Sequence, residues 1–336
     1  MNRGIKIAIA LLVSAIFSSA AMAGTLDDVK KRGHLQCGIN TSLAGFGSTD
    51  AQGNSSGFDV DFCRALAAAI GVDVKFTPLT AKDRFPALQS GEVDVLFRNT
   101  TYTMSRDTKL GFDFVGVNYY DGQGFIVRKK SKVTTARKLN NATVCVQTGT
   151  TTELNLADYF RANKMKYKQV LFEKVDDARM AYDTGRCDSY TTDASGLAAE
   201  RTKLKTPEDH IILPEIISKE PLGPAVRHGD NQWADIVRWV LNLTIIAEEK
   251  DITQANVEKM VADSQDPDTQ RTFGKIESHW VDIGLDAASP VRAIKTVGNY
   301  GEIFERNIGK KTALRLERGL NQLWNKGGIL YAPPVR

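Results

Sequence analysis

Arg106, Thr101, Thr151 and Asp193 have the side chains needed to hold a small zwitterion. Arg106 offers a planar fork suited to a carboxylate. Thr101 adds a hydroxyl and a backbone N–H from the same loop. Gly149-Thr150-Thr151-Thr152 opens a predicted helix, where free N–H groups and the helix dipole favour an anion. Asp193 can take an ammonium. Each of these residues also has an ordinary reading: a surface ion pair of Arg106 with Asp107, a helix cap for Thr150 to Thr152, and another for Asp193.

Two series of elements must position these residues. In the first, Leu35 to Ile39 reads as a buried strand and a Gly/Ser/Asn-rich loop runs from Asn40 to Ser56. A helix follows in which Phe58, Phe62, Leu66 and Ile70 recur every four residues as one apolar stripe. Strand Asp73 to Leu79, helix Ala81 to Ser90 and strand Val93 to Phe97 complete the series. The second runs through strand Thr143 to Gln147, helix Thr151 to Ala162, strand Gln169 to Phe172, helix Val175 to Thr184 and strand Cys187 to Tyr190. Alternating strands and helices predict parallel sheets with right-handed crossovers, so two series predict two α/β lobes. In such sheets ligands bind beyond the carboxyl ends of the strands. That rule selects the loops at 40–46, 98–106, 149–152 and 191–195, two from each lobe, and places a cleft between them.

Gly124 to Arg128 and Pro221 to Arg227 read as two crossings between the lobes, which makes a hinge. The chain then divides into residues 24–125 as lobe 1, 126–221 as lobe 2, and 222–336 as a return to lobe 1 with a C-terminal helical tail. Helices are expected at Trp233 to Glu249, Tyr300 to Arg306 and Leu314 to Lys326, with the tail packed on the first lobe.

Residues 1–23 have the pattern of an export signal: Asn2, Arg3 and Lys6, then an apolar run from Ile7 to Ile16, then Ala21-Met22-Ala23. The run is shorter than the ~20 apolar residues a membrane span needs. Its removal lowers the formal charge of +4 by two, leaving a nearly neutral chain with interspersed signs and no basic field for nucleic acid. Export also favours disulfides among Cys37, Cys63, Cys145 and Cys187. Of the three connectivities, Cys37 with Cys63 and Cys145 with Cys187 is preferred because it keeps each bridge within one lobe; buried free thiols are the alternative. No metal or cofactor is expected. His34, His210, His228 and His279 lie apart, and no nucleophile elbow, phosphate loop or complete dinucleotide fingerprint is present.

Gly57-Phe58-Asp59-Val60-Asp61-Phe62, continuing to Ile70, resembles the signature of the family 3 periplasmic solute-binding proteins. Gly91-Glu92-Val93-Asp94, the 98–106 loop, Val146 to Thr151 and Glu220-Pro221-Leu222-Gly223-Pro224 extend the resemblance in order from Leu35 to Arg227. It is closest to the general L-amino acid subfamily, whose members share the longer tail. The resemblance implies a type II periplasmic binding protein, monomeric, which closes on an L-amino acid and delivers it to an inner-membrane ABC permease. It implies that Arg106, aided by Thr101 and Thr151, holds the α-carboxylate. It implies as well that Asp193 and the Asn99 carbonyl hold the ammonium, with Asn40 and Thr152 nearer the ligand side chain. Where many members stack an aromatic ring on the ligand this chain has Leu43, for which Phe46 is the expected substitute. Arg98 replaces a small residue, which favours polar or acidic ligands. A periplasmic enzyme on the same fold, such as a dehydratase acting on a small carboxylate, is the alternative function.

Overall fold

A computed structural model describes residues 24–336; the expected export signal at 1–23 lies outside the described residues. Two five-stranded sheets organise the chain. The first has the order Asp73–Pro78, His34–Ile39, Val95–Leu96, Ala225–Arg227, Phe112–Phe114. The second has the order Tyr167–Phe172, Ala142–Gln147, Ser189–Asp193, Gln123–Arg128, His210–Ile212.

The sheets are mixed rather than parallel, and one strand in each runs against the other four. That strand is Ala225–Arg227 in the first sheet and Gln123–Arg128 in the second. Each has just arrived from the other lobe. It enters its sheet at the cleft, where the parallel strands end, and so must run in the opposite direction. The two crossings meet in an antiparallel pair of their own, Tyr119–Asp121 with Glu220–Leu222.

The first lobe is built on helix Phe58–Ile70. Its stripe packs Phe58 and Phe62 into a cluster of aromatic rings with Phe46, Tyr119, Tyr300 and Phe304. The tail supplies much of this core: Trp280, Ile294, Tyr300, Phe304, Leu323 and Leu330 are buried in the same cluster as Leu35, Phe58 and Leu66. The second lobe has separate, smaller clusters on the two faces of its sheet.

Three further expectations need correction. The loop from Asn40 to Ser56 contains a small antiparallel sheet of Ser42–Leu43, Gly47–Thr49 and Ser55–Ser56. The third strand of the first series is confined to Val95–Leu96. The expected helix from Leu314 to Lys326 is instead two 3₁₀ turns, Gly319–Asn321 and Trp324–Lys326. Its apolar spacing reflects separate anchors, since positive φ at Arg315 (50°) and Gly319 (49°) breaks any continuous helix.

Both disulfides join the preferred partners. Cys37 and Cys63 have Cα atoms 6.1 Å apart, and Cys145 and Cys187 have theirs 5.7 Å apart. Among the described residues no helix is long and apolar enough to cross a membrane, and no cluster of His, Cys, Asp and Glu could hold a metal ion.

Candidate functional site

Beyond strand Val95–Leu96 the chain turns through Arg98, Asn99, Thr100 and Thr101, with Asn99 at φ 34°. Asp59, from the helix signature, fixes this turn. Its carboxylate accepts from Asn99 N at 2.7 Å and from Asn118 Nδ2 at 2.9 Å, and burial pushes its pKa up to about 6. Asn40 Nδ2 and Arg98 Nη1 both donate to Asn99 Oδ1, at 3.2 and 3.3 Å, and Arg98 Nε donates to Leu79 O.

Arg106 stands on the single π-helical turn Ser105–Lys109 and is 6% exposed, so it is no surface ion pair. Its Nη1 donates to Thr101 O at 2.7 Å, and the guanidinium lies 5.1 Å from the centre of the Phe85 ring. Burial lowers its pKa to about 10, against the pull of Glu220 and Asp193. Arg84 reaches the same ring at 4.9 Å. Its outer nitrogens make only long contacts, 3.4 Å to Thr100 Oγ1 and 3.5 Å to Gly149 O, while Nε is buried without a partner among the described residues. Burial holds Arg84 well below the ordinary guanidinium range; repulsion from Arg106 and Arg98 adds to this, and attraction by Asp193 and Glu220 opposes it.

In the second lobe, Thr150 caps helix Thr151–Ala162 by accepting from Glu153 N at 3.1 Å. Thr151 and Thr152 follow as its first two residues. Thr152 O accepts from Gln123 Nε2, which also donates to Thr191 Oγ1. Gly149, at φ 74°, lies where the lobes touch: a Cβ there would come within 3.3 Å of Lys82 Cα.

Asp193 ends its strand immediately before helix Ala194–Arg201, but its side chain does not cap that helix. Asp121 takes the role instead, accepting from Ser195 N at 3.4 Å and from the Ser195 hydroxyl. Asp193 is therefore left without a hydrogen-bond donor among the described residues. Burial raises its pKa well above the carboxylate range, helped by Asp121 and Glu220 and opposed by Arg84 and Arg106. Asp121 itself is raised to about 6, first by burial.

The lobes are in contact around these groups. Thr101 and Thr151 hydroxyls lie 3.3 Å apart, Lys82 pairs with Glu173 at 2.9 Å, and Lys203 Nζ reaches Ser42 O. Arg98, Asn99, Thr101 and Arg106 thus face Thr151 and Asp193 across one interface, with Asn40 tied to Asn99 and Thr152 next to Thr151. Phe46 is different. It is 1% exposed and packs edge-on against Phe58 and Tyr119 at 5.8 and 5.3 Å, so its ring belongs to the lobe 1 core. Leu43 is the residue of that loop that approaches helix Ala194–Arg201, beside Gly196.

Sequence reading missed Arg84, Phe85, Asp121 and Glu220. Arg84 looks like any charged residue near a helix start. Glu220 follows Ser218-Lys219 and likewise looks like an ordinary solvated charge.

Residues 35–260 match the model for the bacterial extracellular solute-binding proteins, family 3. The general L-amino acid-binding periplasmic protein of Rhizobium johnstonii is 58% identical over 340 aligned residues, covering 100% of this chain and 99% of that protein. A glutamate/glutamine/aspartate/asparagine-binding protein of Rhodobacter capsulatus is 55% identical, covering 96% of this chain and 97% of that protein. The solved structure of an ABC transporter periplasmic binding protein from Brucella ovis with glutathione bound superposes with a TM-score of 0.91 at 60% identity, covering 94% of this chain and all of that one.

Proposed function

The chain belongs to the family 3 bacterial extracellular solute-binding proteins, and from that membership we propose that it is the periplasmic amino-acid-binding component of an ABC importer. It captures L-amino acids in the interlobe cleft and delivers them to the inner-membrane permease. It is a binding protein and not an enzyme, as its relatives are named.

One observation carries the reading of the site. Arg106 of the first lobe and Asp193 of the second are both buried where the two lobes meet, and each feels the charge of the other. An α-amino acid offers the complementary pair, a carboxylate for Arg106 and an ammonium for Asp193. Each charge-assisted hydrogen bond contributes roughly 1.5–3 kcal/mol, so three or four of them approach the ~8 kcal/mol of a micromolar complex. A ligand bridging both lobes favours the closed form, because the open form lacks half of these contacts.

Arg84 and Arg98 stand beside this pair, bonded only to neutral oxygens among the described residues, which favours polar or acidic ligand side chains. A longer ligand is the second reading. A cavity of about 230 Å³ opens beside Arg98, lined by Asn40 and Thr80 of lobe 1 and by Glu173 and Lys174 of lobe 2. The Brucella relative was solved with glutathione, whose γ-glutamyl end is itself an α-amino acid. The protein acts as a monomer, since one chain carries both halves of the cleft; sedimentation as a dimer would contradict this.

Calorimetric titration of residues 24–336, freed of carried-over ligand by unfolding and refolding, tests the proposal against the twenty L-amino acids and glutathione. Stoichiometric binding of unchanged ligand is expected, lost in Arg106→Ala and Asp193→Ala. Arg84→Ala and Arg98→Ala should weaken glutamate more than leucine. Chemical conversion of the ligand, or no binding by any of them, would overturn the reading.

A further inference from the structure

Four donors converge on the carboxylate of Glu220, which is 1% exposed on the returning crossing. Thr101 Oγ1 and Thr151 Oγ1 each donate to Oε2 at 2.7 Å. Asn155 Nδ2 and Ser218 Oγ each donate to Oε1 at 2.7 Å. Thr101 belongs to the first lobe, Thr151 and Asn155 to the second, and Glu220 to the crossing that joins them. One carboxylate therefore gathers both halves of the cleft.

A threonine hydroxyl has one proton and two lone pairs. When that proton is on Glu220, the hydroxyl can offer its other neighbours only lone pairs. Thr101 and Thr151 thus cannot use their O–H groups to hold a ligand carboxylate. Their backbone N–H groups remain available. Thr151 is the first residue of its helix, where the N–H has no carbonyl within the helix. Thr101 bridges Leu222 through bonds made by its neighbours, Tyr102 N to Pro221 O and Gly223 N to Thr100 O, so its own N–H faces away from that crossing.

We infer that Glu220 is a positioning residue that sets the polarity of the cleft. It turns the hydroxyls of Thr101 and Thr151 into acceptors for the ligand ammonium, alongside Asp193. The ligand carboxylate is left to Arg106 and the two backbone N–H groups. Because its donors come from both lobes, the full set of bonds forms only when the lobes close, so closure and hydroxyl orientation are one event. This inference rests on the reading of the cleft as an amino-acid site.

The test compares L-glutamate with α-ketoglutarate, which has the same skeleton but no donor at the α position. Affinities are measured by calorimetry, with competition for the weaker ligand. In Glu220→Ala the preference for glutamate should shrink about tenfold, as the freed hydroxyls turn toward carboxylate or water. Glu220→Gln should largely keep the preference, because its amide oxygen can still accept from both hydroxyls while its NH₂ faces Ser218 and Asn155, which can each turn an oxygen toward it. Should Glu220→Ala fail to fold, the double variant Thr101→Val with Thr151→Val decides. It keeps the N–H groups, so glutamate should weaken about tenfold or more while α-ketoglutarate is nearly unchanged. Equal losses for the two ligands in these variants, or no change in either, would overturn the inference. Failure of the wild-type protein to bind glutamate would instead overturn the amino-acid reading beneath it.

Discussion

The side-chain amide of Asn321 engages both backbone polar groups of Tyr120: Tyr120 N donates to Oδ1 at 2.6 Å, and Nδ2 donates to Tyr120 O at 3.0 Å. Tyr120 is the middle residue of the outgoing crossing, and on its other edge its register partner is Pro221. The two form a non-hydrogen-bonded pair: Tyr120 N and O both point away from Pro221, whose carbonyl accepts instead from Tyr102 N, so the tail side chain pairs the groups that the crossing leaves free. The tail is fastened nearby, since Arg318 forms a two-pronged pair with Glu248 at 3.0 Å and Tyr300 Oη donates to Asn118 O at 2.8 Å. The C-terminal segment thus braces the hinge.

Asn321→Ala should therefore act at the hinge without touching the cleft. Leaving the half-buried polar groups of Tyr120 unpaired costs about 1 kcal/mol, visible as a lower denaturation midpoint. The crossing would also be freer to bend, so ligand dissociation should be faster. Wild-type dissociation together with an unchanged midpoint would show that the tail carries no load.

Phe85 supports two guanidiniums, Arg84 at 4.9 Å and Arg106 at 5.1 Å, and stacks on Phe112 at 5.3 Å. Phe85→Leu keeps apolar contact but removes the negative ring face. Ligand affinity should fall by the equivalent of about 0.5–2 kcal/mol, with little loss of stability. Unchanged affinity in titration would mean that the bond from Arg106 to Thr101 alone seats the guanidinium.

Both disulfides are fully buried, and they close loops whose ends are 26 and 42 residues apart. Chain-entropy estimates give about 3.5 and 4 kcal/mol for loops of that size. A Cys→Ala pair at either bridge should lower stability by roughly that amount while the lobe sheets persist. Thiol labelling with reductant should be slow in native buffer and complete in denaturant. Rapid labelling of the native protein would contradict the burial.

The two strand–helix series were legible because burial on a sheet or helix face imposes a period, as the Phe58, Phe62, Leu66 and Ile70 stripe shows. The direction of Ala225–Arg227 and Gln123–Arg128 was not legible, because direction depends on which lobe the chain has just left. Loop position and charge type single out Arg106, Thr101, Thr151 and Asp193, which the fold gathers where the lobes meet. They do not single out Arg84 and Glu220, since nothing local distinguishes a charge that will be enclosed between lobes from one that meets water. Phe46 misled for a related reason: an aromatic ring in a polar loop serves a core as readily as a ligand, and here Phe58 and Tyr119 were waiting for it.

Stability and affinity should respond to pH in opposite directions. Burial raises Asp59 and Asp121 to about 6 and holds Asp193 well above the carboxylate range, whereas unfolded aspartate titrates near ~3.9. Between those values the folded chain holds protons that the unfolded chain has released. The stabilisation is complete below the unfolded pKa and is lost as pH rises through the folded one. Two pK units on one carboxyl correspond to about 2.7 kcal/mol, so the ligand-free protein should melt at a lower temperature at about pH 7.5 than at about pH 5. Binding runs the other way: an ammonium needs Asp193 ionised, so affinity should rise with pH as that raised carboxyl ionises, with proton release visible as a buffer-dependent binding enthalpy. Asp193→Asn should bind weakly throughout and lose that proton release. If its pH profile keeps the wild-type slope, the ammonium is held by some other group.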